Sequence, residues 1–297
     1  MNILVTGGTG LIGRYFIEQY AASYRFTVLT RNRTRAAQTL PEGCEFITDL
    51  DGLQHLDAFD AVINLAGEPI VDKRWSEQQK SVIRESRLGI TQQLSKLINN
   101  SRLPPEVFIS GSAIGYYGRQ GDTPINEDFD APYDEFSHQL CREWEALAQQ
   151  AQSAKTRVCI MRTGIVLAED GGALDKMLFP FKCGLGGPIA SGNQYMSWIH
   201  IRDMVNAIHH LLKRPRSAGI YNLTAPHPET NKMFAKKLAS ALHRPCIFPM
   251  PEFVLRAMMG EAADLLVYGQ NVVPQALLRE DFHFLFPYLE DALTELT

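Results

Sequence analysis

A glycine-rich stretch at the start of the chain limits the possible folds more than any other feature. The segment NILVTGGTGLIGRYF places Gly7, Gly10 and Gly13 between a short β-branched run and a pattern typical of a helix. The first glycine permits a tight turn, the second lets the backbone approach a ligand, and the third lets helix and strand pack closely. Free amides at the helix start favour a pyrophosphate. The pattern therefore predicts a dinucleotide site, with a purely structural turn as the alternative, formed by Gly7, Thr9, Gly10, Leu11, Ile12 and Gly13.

Short apolar runs alternate with longer helical patterns over residues 1–165. Candidate strands are Ile3–Val5, Thr27–Thr30, Glu45–Ile47, Ala61–Leu65, Val107–Ser110 and Val158–Arg162. The helical patterns between them cover roughly 11–22, 77–100 and 135–152. Strand, helix and strand in repetition is typical of right-handed crossovers. The predicted fold class is therefore α/β, a Rossmann-type doubly wound parallel sheet covered on both faces.

The second half of the chain has a different pattern. Glycine and proline become frequent after about residue 170, and helices are predicted near 202–213, 229–242 and 251–259. This half is typical of a smaller, loop-rich lobe. We predict a dinucleotide-binding Rossmann domain over 1–170 and a C-terminal substrate lobe over 171–297.

Charge and cysteine usage narrow the possible partners. The net charge is −4 and no basic stripe is present, so we expect no nucleic acid partner. No run of 18 apolar residues occurs, so we expect no membrane partner. The five cysteines are odd in number and lack the CxxC spacing, which argues against a disulfide framework or a metal site. The first residues do not resemble a signal peptide, and we expect a cytoplasmic protein.

Two arginines after the second strand indicate which dinucleotide is bound. An NAD site usually has an acidic residue here, about 20 residues after the glycines. This chain has Arg31 and Arg33 instead. Guanidinium groups suit the additional 2′-phosphate of NADP(H), which is therefore favoured over NAD(H). The alternative is a solvated basic turn.

Two further segments fit the same pocket. Asp49 follows the third strand in TDLDG and could reach the adenine amino group. The segment NLAG closes the fourth strand and contributes Asn64, Ala66 and Gly67 at a carboxyl end, where ligands bind in such sheets. Small residues there let a cofactor pass close to the backbone.

Several motifs together resemble a known family. TGGTGLIG, NLAG, SGSAIGYYG and WIHIRDM are similar to the extended short-chain dehydrogenase/reductase superfamily, the group of nucleotide-sugar epimerases. NLAGEPI, RWSEQQKSVIRESRLGIT and the tail LLVYGQNVVPQALLREDFHFLFPYLEDAL resemble the bacterial YfcH-type epimerase-family proteins, an atypical branch with its own C-terminal module, here about 249–297. The resemblance implies bound NADP(H), a small-molecule substrate of the sugar or nucleotide-sugar class, and a monomer or homodimer.

The resemblance also identifies a departure from the family pattern. Ordinary members use a tyrosine hydroxyl to transfer the proton and a lysine four residues later to lower its pKa. No tyrosine of this chain has lysine at that spacing. Aligning Glu145 with the acidic residue of the motif places Ser137 at the tyrosine position and Cys141 at the lysine position.

The segment SGSAIGYYG after the fifth strand offers substitutes. Ser112 matches best the superfamily serine that hydrogen-bonds a substrate carbonyl, with Ser110 as the second choice. Tyr116 and Tyr117 follow, and either one could donate the proton from another direction. The alternative is that both tyrosines are wall residues that pack a ring and satisfy a hydroxyl.

The segment KRWSEQQKSVIRESR brings several cations near NLAG. We expect most of them to form a solvated helix face, whereas the resemblance favours Arg87 as a contact to an anionic substrate or the cofactor.

Two functions follow from these observations. The first is an NADP(H)-dependent oxidoreductase or epimerase that lacks the usual Tyr-xxx-Lys pair. The alternative is a catalytically silent NADP(H)-sensing module that acts through a protein partner.

Overall fold

The computed structural model describes all 297 residues, and its centre is one open sheet of seven parallel strands. The strands of this sheet are β1 (Asn2–Thr6), β2 (Arg25–Leu29), β3 (Glu45–Ile47), β4 (Ala61–Asn64), β5 (Val107–Ala113), β6 (Arg157–Thr163) and β10 (Gly219–Leu223). Their order across the sheet is β10-β6-β5-β4-β1-β2-β3. The order reverses beside β1, and ligands of such sheets bind at the carboxyl ends of the strands at that point.

The remaining elements surround this sheet. Four short strands lie outside it, namely β7 (Ile165–Ala168), β8 (Tyr195–Met196), β9 (Trp198–His200) and β11 (Glu229–Thr230). The helices are α1 (Leu11–Tyr20), α2 (Arg33–Thr39), α3 (Glu77–Asn100), α4 (Phe136–Gln149), α5 (Gly172–Lys182), α6 (Ile201–Lys213), α7 (Asn231–Ala241), α8 (Glu252–Met259), α9 (Asp264–Val267), α10 (Gln275–Arg279) and α11 (Leu289–Leu296), with 3-10 turns at Ile114–Tyr117 and Gly260–Ala263. All six predicted strands and all six predicted helices are confirmed, with bounds that differ by a few residues.

Alternating side chains of the strands build a core on each face of the sheet. Ile3 and Val5 of β1 pack with residues of α1 and α6, such as Phe16 and Met204. Leu4, between them in sequence, packs on the opposite face with residues of α3 and α4. Successive strand residues point to opposite faces, so a continuous apolar run serves both cores. The doubly wound Rossmann-type fold predicted from the sequence is confirmed.

One strand of the sheet comes from beyond residue 170. β10 pairs in parallel with β6, from Gly219 with Cys159 to Leu223 with Thr163. Sequence analysis did not predict this strand. The division into 1–170 and 171–297 remains a prediction about folding units.

The second lobe has a core of its own. α5, α7 and α11 contribute Leu174, Phe234 and Leu293 to one buried cluster. None of the helices in the structure combines the length and the apolar character that crossing a membrane requires.

Helix α3 carries functional candidates and has a well-defined start. The Ser76 hydroxyl accepts a hydrogen bond from the Gln79 amide at 3.1 Å, and Glu77 lies in the first turn. A serine cap and an early carboxylate both stabilise a helix N-terminus. The cap fixes the helical register that places Arg87 beside the end of β4.

Candidate cofactor site and active site

The glycine loop after β1 has the shape that the sequence predicts. Gly7 has a φ of +69°, and a Cβ added there would lie 2.5 Å from the carbonyl oxygen of Leu65. A Cβ added at Gly13 would lie 2.5 Å from the carbonyl oxygen of Gly7. Gly10 is the N-cap of α1, and no side chain caps this helix. The first-turn amides of α1 therefore lack a side-chain partner at the point where β1 ends.

The two arginines after β2 differ in how the protein uses them. Arg33 donates from Nη2 to the carbonyl oxygen of Phe46 in β3. Arg31 is exposed, and its guanidinium has no hydrogen-bond or ion-pair partner in the protein. Asp49 is also exposed, and its carboxylate accepts a hydrogen bond from Thr48 Oγ1 at 3.2 Å. Of the three predicted side chains at this end, only Arg33 is engaged with the backbone of the sheet.

Asn64, at the end of β4, is fully buried and is used internally. Its Oδ1 accepts a hydrogen bond from Thr6 Oγ1 at 2.6 Å, and its Nδ2 donates to Thr91 Oγ1 at 2.8 Å. Thr6 Oγ1 in turn accepts from the amide of Ala66 at 3.2 Å. This network ties β1, β4 and α3 together. Asn64 thus shapes the loop through Ala66 and Gly67 with a side chain that already has partners.

Arg87 of α3 places a cation directly beside this loop. A Cβ added at Gly67 would lie 2.8 Å from Arg87 Cζ, so the absence of a side chain there makes room for the guanidinium. Arg87 donates from Nη2 to the Glu68 carbonyl at 3.0 Å and from Nη1 to the Ile83 carbonyl at 3.2 Å. Burial lowers the pKa of the Arg87 guanidinium from its ordinary value. The guanidinium is held rigidly next to the end of β4.

The positions of the missing tyrosine and lysine are filled by packed side chains of α4. Ser137 is buried and donates to Glu135 Oε1 at 2.9 Å. Cys141 is also buried, and burial together with the charge of Glu145 raises the pKa of its thiol to about 12. A thiol of this kind is inert as a nucleophile at neutral pH. Neither side chain replaces the chemistry of the lost pair.

A buried ion pair lies under the candidate active site, and sequence analysis missed it. Arg162 of β6 donates to both carboxylate oxygens of Glu145, from Nε at 2.9 Å and from Nη2 at 2.8 Å. Burial alone would lower the pKa of Arg162, but hydrogen bonds and charge from Glu145 raise it overall. One signal was available in the sequence, because an arginine inside the apolar run VCIMRT must find a partner when it is buried.

Ser112 belongs to the same network. Its Oγ donates to Glu145 Oε1 at 2.6 Å, and its side chain is buried. Donation to a substrate carbonyl, which the sequence predicted for Ser112, requires the proton that Glu145 accepts here. Ser110, the second choice, is fully buried and accepts from Asn64 Nδ2 at 3.3 Å.

The structure separates the two adjacent tyrosines. Tyr117 is fully buried, donates to Asn222 Oδ1 at 2.7 Å and accepts from Arg162 Nη1 at 3.1 Å. Burial raises the pKa of Tyr117 to about 12. Tyr116 is only half-buried, and its hydroxyl has no hydrogen-bond partner in the protein. The Arg162 guanidinium lies 3.4 Å from the centre of the Tyr116 ring. Tyr116 is thus the one of the pair with a free hydroxyl.

Comparison with known sequences identifies the family. The family model described as the NAD dependent epimerase/dehydratase family matches residues 3–224. The chain belongs to this family. A second model, described as a domain of unknown function (DUF1731), matches residues 250–296. The resemblance to an atypical extended short-chain dehydrogenase/reductase with a C-terminal module is confirmed.

Curated relatives match the chain over nearly its full length. It is 38% identical over 300 residues to the chloroplastic epimerase family protein SDR39U1 homolog of Arabidopsis thaliana, with 99% of this chain and 86% of the relative covered. It is 35% identical over 297 residues to the epimerase family protein SSP1921 of Staphylococcus saprophyticus, with 99% of both covered.

Solved structures share the fold. The human epimerase family protein SDR39U1 (isoform 2), crystallised with NADPH, superposes with a TM-score of 0.91 at 35% identity, covering 100% of this chain and 99% of that one. The UDP-glucose 4-epimerase of Thermus thermophilus in complex with NAD has a TM-score of 0.79 at 19% identity, covering 100% and 98%. The latter likeness shows the fold alone.

Proposed function

We propose that this chain binds NADP(H) across the carboxyl ends of β1, β2 and β4. The observation that carries the proposal is the glycine loop, where Gly7 and Gly13 leave no room for a side chain and α1 has no side-chain cap. Such a loop fits a pyrophosphate, which accepts hydrogen bonds from the first-turn amides. The NADPH-bound human relative supports the proposal from outside this chain.

Three side chains hold the rest of the cofactor in this proposal. Arg31, which has no partner in the protein, binds the 2′-phosphate, while Arg33 braces β3. Asp49 lies at the adenine end. Arg87 lies beside Gly67 and supplies the cation near the nicotinamide ribose that the missing lysine supplies in ordinary members. The proposed site therefore has a cation at each end, with the glycine loop between them.

The proposed chemistry is NADP(H)-dependent reduction, oxidation or epimerisation of a small hydroxyl or carbonyl compound of the sugar or nucleotide-sugar class. When bound, the nicotinamide supplies or accepts a hydride at the substrate carbon. Tyr116 gives a proton to the substrate oxygen or takes one from it, because its hydroxyl is the free one of the tyrosine pair. Ser112 orders Glu145, and the Glu145–Arg162 pair holds Tyr116 and Tyr117 in place.

One observation favours a second candidate, a catalytically silent NADP(H)-sensing module that acts through a protein partner. Ser137 and Cys141 fill the usual proton-transfer position with packed, internally satisfied side chains. Loss of acid–base catalysis typically lowers a rate by about 10²–10⁴-fold but leaves cofactor binding untouched. Binding alone therefore does not distinguish the two functions.

Turnover with a panel of carbonyl compounds and nucleotide sugars tests the enzymatic proposal. NADPH consumption is followed with the wild-type chain, Tyr116→Phe and the matched Tyr117→Phe. We expect Tyr116→Phe to lower kcat by about 100-fold or more, and Tyr117→Phe to keep most of the activity. Tight NADPH binding with no turnover on any compound would instead support the sensing module. Equal losses in both variants would exclude Tyr116 as the proton donor.

A further inference from the structure

The connection between β5 and α4 carries the candidate catalytic tyrosine but has little structure of its own. After the 3-10 turn at Ile114–Tyr117, residues 118–135 form no helix or named strand. A connection of this length without secondary structure is uncommon inside a compact domain unless it is functional. Its backbone donors and acceptors still require partners wherever they are buried. Several of these partners come from the C-terminal module.

Backbone groups of the module pair directly with this connection. The Gln120 amide donates to the Gly269 carbonyl at 3.0 Å, and the Ile125 amide donates to the Asn271 carbonyl at 2.7 Å. In the opposite direction, the Val273 amide donates to the Ile125 carbonyl at 2.8 Å. Two isolated β-bridges, Gln120 with Gly269 and Ile125 with Val272, therefore join the two segments.

Side-chain amides of the module add two more hydrogen bonds. Gln270 donates from Nε2 to the Gly118 carbonyl at 2.6 Å, and Asn271 donates from Nδ2 to the Asp122 carbonyl at 2.6 Å. A Cβ added at Gly269 would lie 2.1 Å from the carbonyl oxygen of Tyr195, so the module fits tightly at this point. These two bonds hold the start of the connection, directly after Tyr117, through the carbonyl oxygens of Gly118 and Asp122.

Arg119 forms a second attachment between the two segments. Its guanidinium pairs with Glu135 at 3.0 Å, within the connection, and with Asp264 at 3.2 Å, within the module. It also lies 4.7 Å from the ring centre of Tyr133 and 4.1 Å from that of Tyr268. The Arg119 guanidinium thus contacts one carboxylate and one aromatic ring from each of the two segments.

The module segment is itself anchored to the body of the protein. Ser197 donates from Oγ to the Gln270 carbonyl at 2.7 Å and accepts from the Val272 amide at 2.9 Å. Asn222 of β10 donates from Nδ2 to the Val273 carbonyl at 3.0 Å, and its Oδ1 accepts the Tyr117 hydroxyl. Residues 264–273 thus lie between the sheet and the connection, in contact with both.

We infer that residues 264–273 of the C-terminal module are a positioning element that holds the β5–α4 connection and so fixes Tyr116 at the cleft. This assigns a role to a segment that matches a domain of unknown function. The inference rests on the proposed function only for the task of Tyr116. The module orders the connection whether or not the protein turns over a substrate.

Hydrogen exchange of the full-length chain tests the inference directly. The variants are Gln270→Ala and Asn271→Ala, singly and together, and the matched control is Glu290→Ala in the same module, whose carboxylate pairs with Lys237 away from the connection. We expect the amides of Gln120 and Ile125 to exchange about tenfold faster in the double variant. The control should leave them unchanged.

Two further readouts separate positioning from a general loss of stability. The nitration rate of Tyr116, referred to that of exposed Tyr288, should rise severalfold in the double variant, because a loosened connection exposes the ring. NADPH affinity should stay constant, since Gln270 and Asn271 make their hydrogen bonds to Gly118 and Asp122 and not to the proposed cofactor residues. Unchanged exchange and nitration, or equal changes in the control, would overturn the inference. Absence of turnover in the wild-type chain would refute only the task of Tyr116.

Discussion

The proposed cofactor end and the proposed catalytic end of the site differ in whether their polar groups already have partners in the protein. At the cofactor end, the glycine loop and Arg31 present groups that no other side chain of the protein uses. At the catalytic end, Ser112, Glu145 and Arg162 form a closed network that satisfies their hydrogen bonds internally. The first end therefore has polar groups available to a ligand, whereas the polar groups of the second are mostly hydrogen-bonded within the protein.

This difference shows where the family pattern can change without loss of the fold. Arg162 is hydrogen-bonded to both Glu145 and Tyr117, so this network is complete without the usual pair. Ser137 and Cys141 can therefore occupy the usual tyrosine and lysine positions as packing residues. The cofactor end has no such internal substitute, and its glycines must be kept. Mutations of Arg162, Glu145 or Tyr117 should therefore change stability, and mutations of the glycine loop or Arg31 should change cofactor affinity.

The largest effect is expected at the buried ion pair. Arg162→Met leaves the Glu145 carboxylate buried without its cation, which should lower the free energy of unfolding by about 3–5 kcal/mol. Chemical denaturation with a fluorescence readout measures this loss. The double variant Arg162→Met/Glu145→Leu removes both charges and should recover most of the stability. A single variant as stable as the wild type would show that the network does not hold the catalytic end together.

The next effect is expected at the glycine loop. Gly13→Ala places a Cβ 2.5 Å from the carbonyl oxygen of Gly7, so the loop must shift away from the pyrophosphate position. We expect NADPH binding to weaken by about 200-fold or more, which is about 3 kcal/mol. Gly52→Ala is the matched control, because a Cβ there meets nothing within 4 Å. Calorimetric titration of both variants checks the prediction, and equal affinities would contradict it.

Arg31 should show a smaller but selective effect. Arg31→Ala removes a charge-assisted contact to the 2′-phosphate and should weaken NADPH binding by about 1.5–3 kcal/mol, while NADH affinity stays constant. Arg25→Ala, at the opposite end of β2, is the control. Fluorescence titration with both coenzymes measures the ratio. A parallel loss for NADPH and NADH would place the 2′-phosphate elsewhere.

The smallest effect is expected when the stabilities of the Tyr116→Phe and Tyr117→Phe variants are compared. Tyr117→Phe removes a hydroxyl that bonds Asn222 and Arg162, which should lower the free energy of unfolding by about 1 kcal/mol. Tyr116→Phe removes a hydroxyl without a partner and should leave stability unchanged. Thermal unfolding of the two variants side by side provides the measurement. The reverse order would mean that the two tyrosines exchange roles.

Sequence reasoning predicted the parts of the molecule that depend on local pattern. The strands from β1 to β6 and the glycine loop follow from apolar runs and from glycines whose spacing has a single steric reason. β10 was missed because GIYNL lies beyond the lobe-like segment and becomes a sheet strand only through its pairing with β6. Its identity depends on a tertiary contact and not on its own residues.

The arrangement of the catalytic end could not be predicted for a related reason. Arg162 and Glu145 lie on different elements, and nothing in the spacing of two residues on a strand and a helix indicates a bidentate pair. The contacts between residues 118–125 and 269–273 join segments about half the chain apart. Sequence analysis identified Tyr116 and Tyr117 as candidates, but only burial and hydrogen bonding distinguish the free hydroxyl from the satisfied one.

Calorimetric titration of the full-length chain with NADPH and with NADH tests the central claim most directly. The proposed site predicts saturable binding of both coenzymes at one site per chain. NADPH should bind tighter by about 1.5–3 kcal/mol because of the Arg31 contact. No heat of binding with either coenzyme, or a clear preference for NADH, would contradict the assignment of the glycine loop and Arg31 to NADP(H).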